Sequence, residues 1–77
     1  MGIKYDTGYF GGENMFNNLN AELARKGWNI KDLAVRTGIK YESLKNKMSG
    51  NTEFKRNEML LIKREFPDHS LEYLFSV

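Results

Sequence analysis

The chain has no cysteine, one histidine and one proline among its 77 residues. Without cysteine, a disulfide framework, a thiolate zinc site, an iron–sulfur cluster and a cysteine nucleophile are all excluded, and a reducing cytoplasm is the compartment that fits. The longest apolar run covers the four residues 59 to 62, whereas a membrane helix needs about 20. We therefore expect a soluble, cytoplasmic chain without a membrane partner, and its length predicts a single small domain.

The shortage of catalytic side chains argues against an enzyme. His69 is the only histidine, and there is no cysteine to pair with it. Asp68, His69 and Ser70 are consecutive, so they do not form a triad by adjacency, and helix capping accounts for Asp68 or Ser70. One histidine and scattered carboxylates are too few for a metal site. We expect no catalysis, no metal, no other cofactor and no small-molecule ligand.

Positive charge is concentrated in the middle of the chain. Residues 25 to 56 carry nine Lys or Arg and three Asp or Glu, a net charge of +6, while each flank carries −2. A basic stretch between acidic ends is typical of a surface that binds a polyanion, because each neutralised phosphate releases condensed counterions. A solvated surface would explain the same charges, so charge alone leaves both interpretations open.

Glycine is frequent near the start of the chain. Residues 1 to 13 contain four glycines, two tyrosines and one phenylalanine, without a helical period. The glycine-rich run 8 to 12 lacks the Gly-Lys-Ser/Thr ending of a phosphate-binding loop. The sequence predicts a flexible arm over residues 1 to 13 and one helical domain over residues 14 to 77.

The spacing of apolar residues in this domain predicts five helices. Phe16, Leu19 and Leu23 lie at i, i+3 and i+7, with Asn14 as the predicted N-cap and Gly27 at the end. Similar spacing recurs towards the C-terminus, and no segment has a convincing strand pattern. The predicted helices cover about residues 15–26, 30–37, 41–49, 56–66 and 70–76.

The second and third predicted helices are joined by a tight glycine turn. Asn29 is the predicted N-cap, and Asp32 three residues later completes a capping box. Trp28 precedes the cap and is placed to pack on Leu33 as a hydrophobic staple. Gly38 ends this helix, and the next begins after two further residues. Two short helices around such a turn are the sequence pattern of a helix-turn-helix.

The stretch from Asn29 to Gly50 reads NIKDLAVRTGIKYESLKNKMSG. Its Leu33-Ala34 pair, the turn glycine followed by an aliphatic residue, the hydroxyl residue before Leu44 and the closing Gly50 resemble the Cro and lambda-repressor family, or Xre-type regulators. The resemblance covers about residues 15 to 75 and is strongest to small phage or prophage repressors. It implies a compact all-α, five-helix domain whose third helix, residues 41 to 49, enters the major groove of DNA.

The resemblance also implies roles for individual residues. The predicted base-contacting residues are Tyr41, Glu42, Lys45 and Asn46. Asparagine suits a bidentate contact to adenine, glutamate can accept from the cytosine amino group, and tyrosine can pack on a thymine methyl. A surface role remains open for each, and Glu42 also suits the dipole at a helix N-terminus. The residues predicted to contact phosphates are Asn29, Lys40, Lys47, Ser49, Asn51, Lys55 and Arg56.

The implied function is sequence-specific binding of double-stranded DNA by a transcriptional regulator, a repressor of the phage type. One reading helix covers only a half-site, so we expect a homodimer on the operator, with Leu71, Leu74 and Phe75 as candidate dimer contacts. The alternative is a helical protein-interaction module, similar to an antitoxin or antirepressor. The apolar C-terminal segment favours this alternative, as does Ile30, which stands where the family usually has glutamine.

Overall fold

A computed structural model describes residues 15–76 of the chain as an assembly of helices. The helices are α1 (Asn17–Lys26), α2 (Ile30–Thr37), α3 (Tyr41–Met48), α4 (Arg56–Lys63) and α5 (Leu71–Leu74). The predicted all-α fold with five helices is confirmed for this range. The predicted arm over residues 1 to 13 and the predicted cap Asn14 lie outside the described residues.

The first helix begins later than the apolar spacing predicts. Phe16 is the N-cap of α1 and its side chain makes no capping hydrogen bond. The Met15 N–H donates to the Met48 carbonyl over 3.0 Å, so this residue is held by the end of α3 rather than by the first turn of α1. At the other end Gly27, with φ +70°, terminates α1 as predicted.

The fourth helix ends before the residue that the proline predicts. The last residue of α4 is Lys63, and the next turns are closed by shorter-range bonds, from the Glu65 N–H to the Ile62 carbonyl and from the Phe66 N–H to the Lys63 carbonyl. These i to i−3 bonds tighten the chain as a helix end commonly does. The helix therefore ends at Lys63, three residues short of the predicted end at residue 66.

Local hydrogen bonds define both ends of α2. The Asn29 side-chain oxygen accepts from the Asp32 N–H over 2.8 Å, and the Asp32 carboxylate accepts from the Asn29 N–H over 2.9 Å. At the end of α2, Gly38 has φ +78° and the Ile39 N–H donates to the Thr37 hydroxyl oxygen over 3.3 Å. The predicted capping box and glycine turn are confirmed, and the turn sets how α3 follows α2.

One apolar core holds the helices together. α2 packs against α3 and α4, and α5 packs against α1 and α4. Burial of apolar side chains in such a core supplies most of the stability of short helices. The core consists of Leu19, Leu23, Leu33, Ala34, Ile39, Leu44, Met48, Ile62, Phe66 and Leu74.

Of the three C-terminal residues predicted as dimer contacts, Leu74 belongs to this core. Leu74 is wholly buried, with an exposed fraction of 0%, while Leu71 and Phe75 are half-buried. The Phe75 ring lies edge-to-face against Phe16, with 5.7 Å between centroids, and against Phe54 at 5.1 Å. The assignment of Leu74 to a dimer surface is therefore wrong, because the apolar side of α5 packs against α1 and α4 of the same domain.

A buried carboxylate adds a polar link between α1 and α5. The Tyr73 hydroxyl donates to Glu22 Oε2 over 2.7 Å, His69 Nε2 lies 3.2 Å from Oε1, and Arg25 Nε donates to Oε2 over 3.3 Å. The hydrogen bond from Tyr73 lowers the pKa of Glu22, and the charges of His69 and Arg25 act in the same direction against the opposing effect of burial. Glu22 therefore stays ionised in a place that is 5% exposed.

Replacing Leu74 tests its place in the core. We expect Leu74→Ala to lower the free energy of unfolding by about 2–5 kcal/mol, because truncating a buried leucine leaves a cavity. Val35 is 84% exposed, so Val35→Ala serves as the control and should change stability by less than about 0.5 kcal/mol. Thermal or urea unfolding followed by circular dichroism measures both. A Leu74→Ala protein as stable as the control would contradict the burial.

Replacing Glu22 tests the buried carboxylate through its pH dependence. Because the native pKa of Glu22 lies below its ordinary value of 4.5, its ionised form stabilises the native state above that pH, and the stabilisation is lost as the pH falls through the native pKa. Glu22→Gln removes the titrating group, so its stability should fall less steeply between about pH 5 and pH 3. Glu72→Gln on the exposed side of α5 is the control. Identical acid profiles for Glu22→Gln and the wild type would be inconsistent with this role.

Candidate nucleic-acid interface

The two sides of α3 differ sharply in exposure. Leu44, Lys47 and Met48 lie at i, i+3 and i+4 and are buried. The opposite side faces solvent and holds three of the four predicted base-contacting residues. These are Glu42, Lys45 and Asn46, again at i, i+3 and i+4 and all exposed. The structure thus brings carboxylate, ammonium and amide groups together on one exposed face of a single helix.

Tyr41, the fourth predicted base-contacting residue, differs from the other three. It is the first residue of α3, is half-buried and packs against the core. Lys31 of α2 reaches across to it, with Nζ 5.7 Å from the centre of the ring. Lys31 was not among the predicted site residues, although its charge contributes to the basic stretch. Only the contact across the glycine turn identifies it.

The turn that follows α3 is tied to the helix by several hydrogen bonds to helix carbonyls. The Asn46 carbonyl accepts from the Asn51 N–H over 2.9 Å and from the Ser49 hydroxyl over 3.1 Å. Gly50 has φ +86°, and a Cβ at this position would collide with the thioether of Met15. The predicted phosphate-contacting residues Ser49 and Asn51 therefore lie in a turn of defined shape. Asn51 is exposed, while Ser49 is half-buried with its hydroxyl hydrogen already donated.

Lys47 is not placed to contact a phosphate. It is 9% exposed, and its Nζ lies 3.2 Å from Glu58 Oε1 and 3.4 Å from the Glu53 carbonyl, to which it donates. The predicted phosphate contact of Lys47 is contradicted by this burial. The reason is its position three residues after Leu44, which puts the lysine on the buried side of α3.

Glu58 joins this lysine to the start of α4. Its Oε1 accepts the Lys55 N–H over 2.8 Å in addition to facing Lys47, so one carboxylate caps α4 and pairs with α3. Burial raises the pKa of Glu58, but the hydrogen bonds from Lys55 and Lys47 and their charges outweigh it, and the pKa ends below its ordinary value. The ion pair fixes the end of α3 relative to the start of α4.

The remaining predicted phosphate-contacting residues lie on the surface. Lys40 is the N-cap of α3, Lys55 is the N-cap of α4 and Arg56 is its first residue, and all three are exposed. The ion pairs between residues 15 and 76 leave these cations and Lys45 without a carboxylate partner. Asn29 is also exposed, and its side-chain oxygen is used in the cap of α2. Its amide hydrogens remain donors.

The residues considered for catalysis or metal binding are engaged in helix ends and packing. His69 faces Glu22 and stacks on Tyr73 with 4.9 Å between ring centres, and Ser70 accepts the Tyr73 N–H over 3.1 Å as the N-cap of α5. Across residues 15–76, no three His, Cys, Asp or Glu side chains come together in a group that could hold a metal. None of the helices in that range is both long enough and apolar enough to cross a membrane.

No protein-family model matches the chain, and neither a curated protein nor a solved structure does. What the chain binds therefore has to be inferred from the residues described above.

Replacing Lys47 tests whether this lysine has a structural role. We expect Lys47→Met to lower the free energy of unfolding by about 1–3 kcal/mol, because it leaves the Glu58 carboxylate without its charged hydrogen-bond partner. The same substitution at the exposed Lys40 should leave stability almost unchanged. Urea unfolding of the two variants gives the comparison. Equal stabilities would show that the ion pair does not hold α3 and α4 together.

Proposed function

We propose that this protein binds double-stranded DNA in a sequence-specific manner, as a regulator of the Xre type, with α3 in the major groove. The observation that carries the proposal is the exposed face of α3, on which Glu42, Lys45 and Asn46 stand together while the opposite face is fixed in the core. The major groove of B-DNA admits an α-helix and presents a different pattern of donors and acceptors for each base pair. A rigid helix with such a face suits this task.

The distribution of charge around α3 supports the same proposal. Lys40 precedes the helix, and Lys55 and Arg56 follow it in space at the start of α4, which the Glu58 ion pair holds against α3. Cations at both ends of a reading helix can bind phosphates on the two sides of a groove. These contacts would supply affinity that is independent of sequence and weakens with salt.

The side chains of the exposed face can form different hydrogen bonds with the edges of the bases. Asn46 can make a bidentate contact to adenine, Glu42 can accept from the cytosine amino group, and Lys45 can donate to guanine. Tyr41 can pack on a thymine methyl group. Each good contact is worth about 1–3 kcal/mol of discrimination against the wrong base pair.

A dimer on a pseudo-palindromic operator and repression in the cytoplasm complete the proposal. α3 has eight residues, and one such helix covers a half-site, so two copies related by a two-fold axis would double the length of sequence that is read. Their contact would have to use a surface other than Leu74.

A second candidate function is binding of another protein. The feature that favours it is an apolar surface cavity of about 330 Å³, whose lining includes Met15, Phe54, Met59 and Phe75. The basic residues around α3 are not explained by that function, which is why DNA binding is preferred. A DNA selection experiment distinguishes the two.

We expect the wild-type protein to enrich a related set of sequences from a random duplex pool at about 150 mM salt, where non-specific binding fades. Asn46→Ala should relax the preference at one base pair, with a loss of about 1–3 kcal/mol of discrimination there. The same substitution on α1, Asn20→Ala, is the control and should recover the wild-type motif. Failure of the wild-type protein to enrich any motif would refute the proposal and favour the protein-binding alternative.

A phosphate contact should behave differently from a base contact. We expect Lys55→Ala to weaken binding to all duplexes about equally and to reduce the slope of log affinity against log salt by about 1, because one fewer phosphate is neutralised. Titrations at several salt concentrations, monitored by fluorescence anisotropy, give this slope. A change of motif with an unchanged slope would assign Lys55 to base reading instead.

A further inference from the structure

The exposed side of α2 carries an apolar residue, an aromatic ring and a cation that the proposed DNA contacts do not use. We infer that Trp28, Val35 and Arg36 form a docking site for another protein, which presents a peptide segment with a carboxylate next to a large apolar side chain. This site goes beyond the proposed function and does not depend on it. It is also a different surface from the cavity that Met15 and Phe75 line.

The two sides of α2 differ in exposure. Leu33 and Ala34 belong to the core, whereas Asp32, Val35 and Arg36 lie at i, i+3 and i+4 and are exposed. Val35 has an exposed fraction of 84%, the highest among the large apolar side chains of residues 15–76. A single exposed valine is ordinary on a protein surface, so its neighbours decide whether it belongs to a site.

The aromatic neighbour is Trp28, whose ring is held from several sides. It is half-buried, and its centroid lies 5.8 Å from that of the buried Phe66 ring. Arg36 Cζ lies 3.9 Å from the centre of the indole, and Lys26 Nζ lies 5.1 Å from it. Cations at these distances are attracted to an aromatic face. The core and two cations therefore hold the ring in place beside α2.

The guanidinium group of Arg36 has its donors available for a ligand. It makes no hydrogen bond within residues 15–76, and its carboxylate neighbour Glu65 has Oε1 3.9 Å from the nearest guanidinium nitrogen, beyond hydrogen-bond distance. Contact with the Trp28 ring limits the orientations of this planar group. A guanidinium held in this way is ready to bind a carboxylate through two parallel N–H···O bonds.

These side chains border one concave surface. Trp28, Asp32, Val35 and Arg36 line a surface cavity of about 390 Å³. An apolar side chain placed in it would cover Val35 and the exposed part of the indole, and this burial of apolar surface favours binding. The cavity therefore offers an apolar contact and a carboxylate contact side by side.

The charge around the cavity favours a negatively charged partner. Residues 25 to 36 carry four Lys or Arg and one Asp, a net charge of +3. The one carboxylate, that of Asp32, already accepts the Asn29 N–H in the cap of α2. Lys26 forms no ion pair with any of the described residues. Complementary charge of this kind attracts an acidic segment and orients it.

The apolar residue beside the arginine favours a peptide over a nucleic-acid phosphate. A phosphodiester would pair with Arg36 but would give Val35 no apolar contact. A peptide can supply the carboxylate and the apolar side chain together. Tryptophan and arginine are also the residues that most often carry the binding energy of protein interfaces.

The experiment selects peptides that need this surface. Random dodecapeptides displayed on phage are panned on the immobilised wild-type protein, with the Val35→Ser/Arg36→Gln double variant in solution as competitor. One enriched peptide without tryptophan is synthesised with a fluorescent label, and anisotropy gives its affinity for each variant. Trp28 is the only tryptophan of the chain, so its emission reports binding at this cavity. Circular dichroism confirms that each variant is folded.

We expect the enriched peptides to share an aspartate or glutamate next to a leucine, isoleucine or phenylalanine and to change the emission of Trp28. Arg36→Gln and Val35→Ser should each weaken peptide binding about tenfold, as truncation at the centre of an interface does. Arg36→Lys should weaken it nearly as much, because an ammonium group cannot make the two parallel bonds. The matched control is Arg56→Gln at the exposed start of α4, which should bind the peptide as the wild type does.

The inference is wrong if no peptide is enriched against the competitor, or if the double variant binds the enriched peptide as tightly as the wild type. Unchanged affinity of Arg36→Lys would overturn the part assigned to the two parallel bonds. If Arg36→Gln lowers the salt slope of duplex binding by about 1 and leaves peptide binding unchanged, the guanidinium serves a phosphate instead. The peptide measurements contain no DNA, so their failure leaves the proposed function standing, and failure of the duplex selection leaves this inference standing.

Discussion

The burial of Leu44 and Met48 is the constraint on which the site depends. These two side chains have exposed fractions of 0% and lock one side of α3 into the core. A helix of eight residues has little stability of its own, so its orientation comes from this packing. Because one side is fixed, the other side is presented to solvent in a single orientation. Glu42, Lys45 and Asn46 owe their common exposed face to two residues that are themselves wholly buried.

Two largely buried carboxylates extend this constraint to the neighbouring helices. Burying the Lys47 ammonium group alone would carry a large desolvation free energy. The ion pair with Glu58 offsets part of it, and the same carboxylate caps α4. Glu22 plays the corresponding part between α1 and α5. In both cases one carboxylate serves two elements. Each carboxylate therefore links two helices that are distant in sequence or separated by a loop.

Local signals in the sequence were sufficient to predict the two helices and the turn between them. Contacts between residues that are distant in sequence could not be predicted in this way. Asn29, Asp32 and Gly38 act within a few residues of themselves, so their roles follow from spacing alone. The burial of Lys47 is different, because its partner Glu58 lies on another helix. The one signal in the sequence was the position of Lys47, three residues after Leu44, which indicates the buried side of α3. Apolar spacing on α5 likewise could not show whether Leu74 faces its own core or a second copy.

The polar contacts between α1 and α5 have a consequence for how the chain acquires its structure. Asn18 donates to the Tyr73 carbonyl across a separation of 55 residues, and Tyr73 donates to Glu22 across 51. An isolated ten-residue helix such as α1 is only marginally stable in water. During synthesis, α1 is therefore made long before the residues that hold it in place. The polar contacts that hold α1 are therefore complete only once α5 has been made, so the first and the last helix of the described range gain this support together.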